Sequence, residues 1–563
     1  MENENKIPTK IFALGGIEEI GKNMYVVEHD NEIWIVDCGI KFVDKNVYLG
    51  FGSIIPPFTY LKANQARIQG LLITHAHEDH IGGIPYLLKE VSIPKIYGGK
   101  LTRAIVENKL AQFKGLNKYE WGLIDDNTKI SSKHFTIDFF RVCHSVPDDF
   151  GICFQTINGI ICTTADFRFD FLTRGDETDI WKISEIGKRN VDVLLCESTN
   201  ALQPGFSGSE KYVVDQIKKI FQAAPGRVFL TTFASMMGRI EEILEIAILS
   251  GRKVILGGRS MKSNVAAAIK IGTLSVDESC FIEMKDINNY PPEKIFVITT
   301  GSQGEENSGL QQMSTSNHPY VKFNQDDTVI FSSHPIPGNF ESVEKVVNSL
   351  YKMGVHVFID TPECKIHSSG HATQSEIQLM IRLLMPTYLI PIHGEFKMLA
   401  WQKRNGELMG IRKNNVIQIS NGQFVQLLNH KAELTKESIE IPDVFVDGNQ
   451  VSDNATNVLK FRQRLSSDGV VNITLIINRI SRKVLEVPVV SIRGAFQSNT
   501  SNSLITKIAY SVKETIEQYM NELPQGRTIE NGDIRKIAEK TAEYFIWRNK
   551  KKKPLIRVTS FDL

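Results

Sequence analysis

The sequence predicts an α/β protein of several domains: a β-rich domain, a parallel α/β domain inserted within it, and a C-terminal α+β module. Three observations predict this. At 563 residues the chain exceeds one ordinary core. Short β-rich runs dominate up to about residue 209, after which strands alternate with helices, the pattern of a parallel sheet. Runs like those of the beginning then return in "TYLIPIHGE", as expected of a chain that leaves one domain, builds another and comes back.

Element by element, "KIFALGG", "MYVVEHDNEIWIVDCG" and "IQGLLITH" read as strands ending in Gly or polar residues. "ICFQTINGIICTTAD" reads as a hairpin with a type I′ turn at Asn158-Gly159. "VDVLLCEST" is a buried strand ending at Glu197. "SEKYVVDQIKKIFQAA" has helical periodicity behind a Ser N-cap. "GRVFLTTF", "RIEEILEIAILSG", "RKVILGG", "EKIFVITTGSQGE" and "DTVIFSSHPIPGN" continue the alternation to about "HVFIDTPE". "KMLAWQKRNGELMGI" follows the late strand as a helix, and "NNVIQISNGQFVQLL" reads as a second Asn-Gly hairpin. "NHKAELTKESIEIP" is polar and reads as a linker, and the last hundred or so residues as strands followed by helices to the end. The expected division is 1–209 and 363–438 for the β-rich domain, 210–362 for the insertion, 439–462 for a linker and 463–563 for the last module.

Hydrophobic residues make up 42% and charged residues 23%, the balance of a globular protein. "MENENKIPTK" has no apolar signal core, and no stretch approaches the roughly 20 apolar residues of a membrane span. The seven cysteines are scattered without a CxxC pair; Cys38, Cys143, Cys162 and Cys196 sit in or beside apolar strands. The expectation is a cytoplasmic protein without a disulfide framework and without a membrane partner. A net charge of +1 neither suggests nor excludes nucleic acid; a polyanion site would be a local groove.

The chemistry concentrates in "THAHEDHIGG". His75 and His77 alternate after a strand, and Asp79 and His80 follow at once, a spacing that offers two adjacent metal sites with N/O ligands suited to zinc-like cations. Gly82-Gly83 would let the chain turn tightly into a helix. Further ligands are expected at other strand ends: His144 in "RVCHSVPDD", Asp166 in "CTTADFRFD" and His393 in "LIPIHGE". A carboxylate such as Asp166 can bridge two cations. Two metals that lower the pKa of water and clamp a phosphoryl or carbonyl oxygen suit hydrolysis.

These residues, with Asp37 in "IVDCG", resemble the metallo-β-lactamase superfamily. "CESTN", "HSSGHA" and "PIHGE" look like the motifs of its β-CASP nucleases. "GGIEEIGKNM", "TTFAS", "TTGSQGE", "SSHPIPGN", "FVDG" and "LSSDGVVNITLIIN" look like ribonuclease J over nearly the whole chain. The resemblance implies a metallo-β-lactamase αββα sandwich, an inserted parallel α/β β-CASP domain and a C-terminal α+β domain. His75, His77 and His144 would hold one divalent ion and Asp79, His80 and His393 a second, with Asp166 bridging. The ions would be zinc, with manganese and magnesium as alternatives. Asp37 would orient a ligating imidazole, Glu197 position a ligand or relay a proton, and His371 contact the scissile phosphate and protonate the leaving 3′ oxygen.

Substrate would meet Phe233, Ser235, Met236 and Met237 of the "TTFAS" segment, Asn339 of "IPGN", and His367, Ser368, Ser369, Gly370 and His371 of "HSSGHA". Ser369 and Gly370 with their backbone can form an anion-binding nest. From sequence Phe233 reads equally as a base-stacking or a core aromatic, and Asn339 as a phosphate donor or a turn residue. Met236 and Met237 stand where the family usually has a polar residue, and Gly52 where relatives often place an Asp that helps bind a structural calcium, although Asp447 of "VDG" is retained. The lysines at 550–553 read as a solvated basic end or an RNA-backbone contact. The activity expected is 5′→3′ exonucleolysis of 5′-monophosphate RNA with endonuclease capacity, in RNA maturation and mRNA decay. The protein would be a homodimer or homotetramer, or pair with a paralogous ribonuclease J subunit. The alternative is a non-catalytic RNA- or paralogue-binding subunit, which the full ligand set disfavours.

Overall fold

The computed structural model describes residues 7–44, 47–172, 177–305, 308–336, 339–452, 454–496, 502–524 and 527–563. The chain divides into two compact units, 1–42 with 53–444, and 43–52 with 445–563.

Two sheets face each other in the first unit. The eight-stranded one runs, edge to edge, 431–438, 423–428, 9–15, 24–29, 32–36, 68–72, 95–98 and 120–123; the six-stranded one runs 129–131, 136–141, 150–156, 159–163, 193–197 and 388–392. Apolar residues from both, among them Val27, Trp34, Val36, Phe139, Ile152 and Ile390, form one core between them. Strands 193–197 and 388–392 pair in parallel, Val193 against Tyr388 through Glu197 against Ile392, although an entire domain separates them in sequence. That pairing closes the insertion. Inside the insertion, strands 253–257, 295–299, 228–231, 328–331 and 356–358 form a wholly parallel sheet in that order, wrapped by amphipathic helices such as Glu210–Ala223 and Met237–Leu249. Ser209 caps the first of these helices by accepting from Lys211 N, as its position predicts.

Several local expectations need correction. The hairpin near Asn158 turns on Ile157 and Asn158, with Thr156 paired to Gly159; neither turn residue is left-handed, so it is not the type I′ turn expected at Asn158-Gly159. The second hairpin does not turn at Asn421-Gly422 either. It turns at Asn429 and His430, both left-handed (φ +47° and +64°), the dihedrals of a type I′ turn. Its second strand, Lys431–Ser438, is part of the segment read as a polar linker; an edge strand with exposed polar side chains has linker-like composition. The stretch 439–462 likewise holds strands Val444–Asp447 and Gln450–Val451 and the start of helix Ala455–Asp468.

In the second unit, strand Val470–Asn478 alternates buried and half-buried residues, its inner face of Val471, Ile473, Leu475 and Ile477 packing on helices Asn502–Glu522 and Asn531–Lys550. The chain does not finish in helices: its last element is strand Leu555–Asp562, parallel to Val470–Asn478. The lysine run ends the helix before it, with Lys551 and Lys553 lying 5.4 and 5.1 Å from the Trp547 ring centre. Among the described residues no helix is long and apolar enough to cross a membrane. None of the seven cysteines, all among the described residues, is in a disulfide, and all but Cys364 are buried.

Candidate metal centre

Strands 32–36 and 68–72 of one sheet, and 136–141, 159–163, 193–197 and 388–392 of the other, run toward one edge of the sandwich, and every predicted ligand lies just beyond the end of such a strand. Three of these turns carry left-handed residues other than glycine: Asp37 (φ +60°), Ala165 before Asp166 (φ +55°) and His393 (φ +49°). Such strain persists where surrounding structure over-determines it and clusters at functional sites. His77 precedes the one-turn helix Glu78–Ile81, which carries Asp79 and His80. Gly82 and Gly83 have ordinary right-handed dihedrals, so no special turn requires them. Close approach does: a Cβ on Gly83 would sit 2.8 Å from the Cys38 sulfur, and one on Gly39 only 1.6 Å from the Asp79 carbonyl oxygen.

The structure brings all seven predicted ligands together. His75, His77, His144 and Asp166 form one group and Asp79, His80, Asp166 and His393 another, each with ligand atoms within 4.8 Å of one another. His75 Nε2 and His144 Nε2 each lie 3.1 Å from His77 Nδ1. Asp166 Oδ2 lies 3.7 Å from His75 Nε2, 3.9 Å from His144 Nε2, 3.1 Å from His80 Nε2 and 3.8 Å from His393 Nε2. A tetrahedral ion with bonds of about 2.1 Å separates its ligands by roughly 3.4 Å, in the middle of these distances, so the donor set fits divalent metal binding.

The outer nitrogens are held as well. His80 Nδ1 meets Asp37 Oδ2 at 2.8 Å, His144 Nδ1 the Gly370 carbonyl at 2.7 Å, His393 Nδ1 the Thr199 hydroxyl at 2.8 Å and His75 Nδ1 the Thr74 hydroxyl at 3.0 Å. Such partners set tautomer and ring angle and so aim the inner nitrogen. Burial, seconded by neighbouring imidazoles, pushes His75 and His144 well below the usual histidine range, and burial takes His77 down to about 4. All three are neutral, the ligating form. Burial opposes the ionisation of Asp166 and Asp79, yet His393 and His80 hold both carboxyls below the usual range. His80 and His393 are raised in turn, against burial, by Asp166 and Asp79. Ion binding there therefore competes with protons.

On the open side His371 Nδ1 meets Glu197 Oε2 at 3.0 Å. Burial alone would depress His371, but the carboxylates of Glu197 and Asp166 outweigh it and hold the imidazolium up to about 9. Glu197 Oε1 also accepts from the Phe167 and Ala372 amides, tying the Asp166 loop to the His371 loop.

The substrate residues divide. Ser369 accepts from Asn200 Nδ2 at 2.8 Å and Gly370 supports His144, so both belong to the centre. The expected anion nest is largely committed: the His371, Ala372 and Thr373 amides donate to Ser369, Glu197 and Glu376. Ser368 is buried, donating to Glu210 Oε2 and accepting from Arg168. His367 Nδ1 lies 3.2 Å from Arg239, and burial, with Arg239 second, lowers it to about 3. Met236 and Met237 are buried, Met236 sulfur accepting from Thr232, so thioethers at these positions pack inside the inserted domain. Phe233 and Ser235 are half-buried just beyond strand Val228–Thr231. Asn339 starts helix Phe340–Lys352 with its side chain 3.4 Å from Gln303 Oε1; Pro337 and Gly338, on which the turn reading falls, lie outside the described residues.

Sequence reasoning assigned no role to Thr199 and Asn200, the last two residues of "CESTN", and passed over the buried cluster of Glu210, Arg239 and Arg168. It also left the calcium question open. Asp447 is paired with the Arg462 guanidinium at 2.5 Å, and Arg462 also donates to the Leu49 carbonyl. With Gly52 bringing no carboxylate and a guanidinium already on Asp447, these residues do not fit a calcium ion.

The sandwich and the cluster at its edge define a metal-dependent hydrolase of the metallo-β-lactamase class. The sequence model of the metallo-β-lactamase superfamily matches residues 18–147, that of the ribonuclease J β-CASP domain 225–350, that of a zinc-dependent metallo-hydrolase RNA specificity domain 364–417, and that of the ribonuclease J C-terminal domain 457–563. The chain is 44% identical to Ribonuclease J of Mycoplasma pneumoniae over 552 residues, covering 98% of this chain and 97% of that protein. It is 39% identical to Ribonuclease J 1 of Streptococcus pyogenes over 88% of each chain, and 32% identical to Ribonuclease J2 of Bacillus subtilis over 99% of each. A crystal structure of a protein of unknown function from Enterococcus faecalis shares the fold at 15% identity, with a TM-score of 0.52 over 75% of this chain and all of that one. The chain belongs to the ribonuclease J family.

Proposed function

We propose that this member of the family degrades RNA in the 5′→3′ direction with two divalent ions, prefers 5′-monophosphate ends and can also cleave internally, in RNA maturation and mRNA decay. Family membership makes the chain a metal-dependent ribonuclease. The single observation that supports two-ion hydrolysis is Asp166, one buried carboxylate shared by both ligand groups, with the protonated His371 on its open side; polarity and end preference rest on the likeness to the family. In this reading His75, His77 and His144 hold one ion, Asp79, His80 and His393 the other, and Asp166 both. Zinc suits the N/O set, with manganese or magnesium as alternatives. Such ions, when bound, acidify water and neutralise charge on a phosphoryl group.

The chain's own residues do the rest. Asp37, Thr199 and the Gly370 carbonyl fix the imidazoles. Glu197 occupies His371 Nδ1, leaving Nε2–H to protonate the departing 3′ oxygen. The insertion, expected at 210–362, supplies RNA specificity through Phe233, Ser235 and Asn339, together with the His367–His371 loop that follows it. The protein acts in the cytoplasm as a homodimer or homotetramer, or with a paralogous subunit; light scattering on the purified chain tests the assembly. The activity is tested on end-labelled RNA: mononucleotides are released from a 5′-monophosphate end, and His77→Ala abolishes both release and metal content. Full activity in that variant overturns the ligand assignment, and release from the 3′ end overturns the polarity.

A further inference from the structure

Asp149 is a buried acid to which nothing above assigns a role. Asp148 before it adopts a left-handed conformation (φ +61°) and its carboxylate accepts from Leu101 N at 2.8 Å. The kink seats Asp149 beside the first ligand loop: its carbonyl accepts from Val142 N, and the next amide, Phe150 N, donates to the Thr74 carbonyl at 3.2 Å. Asp149 is 1% exposed, and neither carboxylate oxygen has a hydrogen-bond partner among the described residues. A buried carboxylate without a donor is costly, and such groups are kept where something else draws on them. The imidazole within reach is that of His75, whose Nδ1 lies 3.4 Å from Asp149 Oδ2 and whose Nε2 faces His77 and Asp166. Thr74 also accepts from this Nδ1, but its own proton goes to Asp37, so it brings no charge to the ring.

We infer that Asp149 is a positioning residue for metal loading: it is the counter-carboxylate of His75, as Asp37 is of His80. The inference rests on the reading of His75 as a ligand. With an ion bound at Nε2, the His75 Nδ1–H would be a stronger donor, so the attraction to Asp149 would be fully realised in the loaded protein. The two ligand groups that share Asp166 then each carry one acid behind a histidine.

This fixes opposite signs for two measurements. In the chelator-stripped full chain, removing an unpartnered buried carboxylate leaves the thermal midpoint unchanged or raises it. In zinc and manganese titrations against a competing chelator, the same change weakens one binding step. Asp149→Ala is expected to lower that affinity about 10- to 100-fold, the usual effect of losing such a partner. Asp149→Asn, isosteric and still offering an oxygen to Nδ1–H, is expected to fall between Ala and wild type, which also guards against a folding failure in the Ala variant. His77→Ala runs alongside. If it leaves metal content intact, the ligand reading fails and this inference with it. If it removes metal while Asp149→Ala titrates like wild type, only the role of Asp149 is overturned. A drop in the stripped protein's midpoint with unchanged affinity shows a purely structural residue and overturns it as well.

Discussion

Replacing Glu210 by glutamine is expected to cost stability and loosen the loop that carries His371. Glu210 is buried and ion-paired through both oxygens to the fully buried Arg239, with Arg168 3.5 Å away and the Ser368 hydroxyl at 3.0 Å. Burial opposes its ionisation, yet Arg239 and Arg168 outweigh it, and the carboxyl ionises at about 2 instead of 4.5. At about 1.4 kcal/mol per pH unit, that difference is roughly 3 kcal/mol. Because the folded value is depressed, this stability is present above pH 4.5 and is lost as pH falls through 2. Glu210→Gln also leaves Arg239 buried without its partner, so the loss at pH 7 is expected at about 3–5 kcal/mol. Urea unfolding together with amide exchange over helix Met237–Leu249 and residues 366–372 measures it. The double variant Glu210→Leu/Arg239→Met, which removes both charges, should lose less than the single one. A loss below about 1 kcal/mol in Glu210→Gln, the range of an exposed pair, would refute the reasoning.

Other expectations follow from the same contacts. Glu197→Gln removes a carboxylate that raises His371, so the alkaline limb of the activity–pH profile, at about pH 9 or below in wild type, should move to lower pH; an unmoved limb argues against His371 as the proton donor. Gly39→Ala places a methyl on the Asp79 carbonyl, so metal content measured by mass spectrometry should fall sharply with the Asp79–His80 turn displaced. Arg462→Met strips Asp447 of its partner and should lower the melting temperature of the C-terminal unit, whereas calcium or a calcium chelator should leave the wild-type melt unchanged.

Local patterns were readable where the signal is local. The period-2 burial of Val470–Asn478 and the Ser209 cap follow from neighbours in sequence. The hairpin at Asn429-His430 was missed because it lacks the glycine that usually marks a type I′ turn, and strand Lys431–Ser438 because an exposed edge strand is polar. Leu555–Asp562 was missed because pairing with Val470–Asn478 decides it, more than its own composition.

By itself the sequence determined the donor types and their spacing in "THAHEDH", the strand ends that carry His144, Asp166 and His393, and the alternation that makes the insertion parallel. Only the tertiary structure decided that His393 stands 3.1 Å from Asp79, 314 positions away, that the Gly370 carbonyl aims His144 across 226 positions, and that Glu210 and Arg239 neutralise each other beneath Ser368. The reason is physical. A side chain's donor chemistry belongs to the residue, but its charge state and its aim depend on what burial removes from water and on which distant strands pair. Here the pairing of 193–197 with 388–392 brings Glu197 and His393 to the same edge of the sheet.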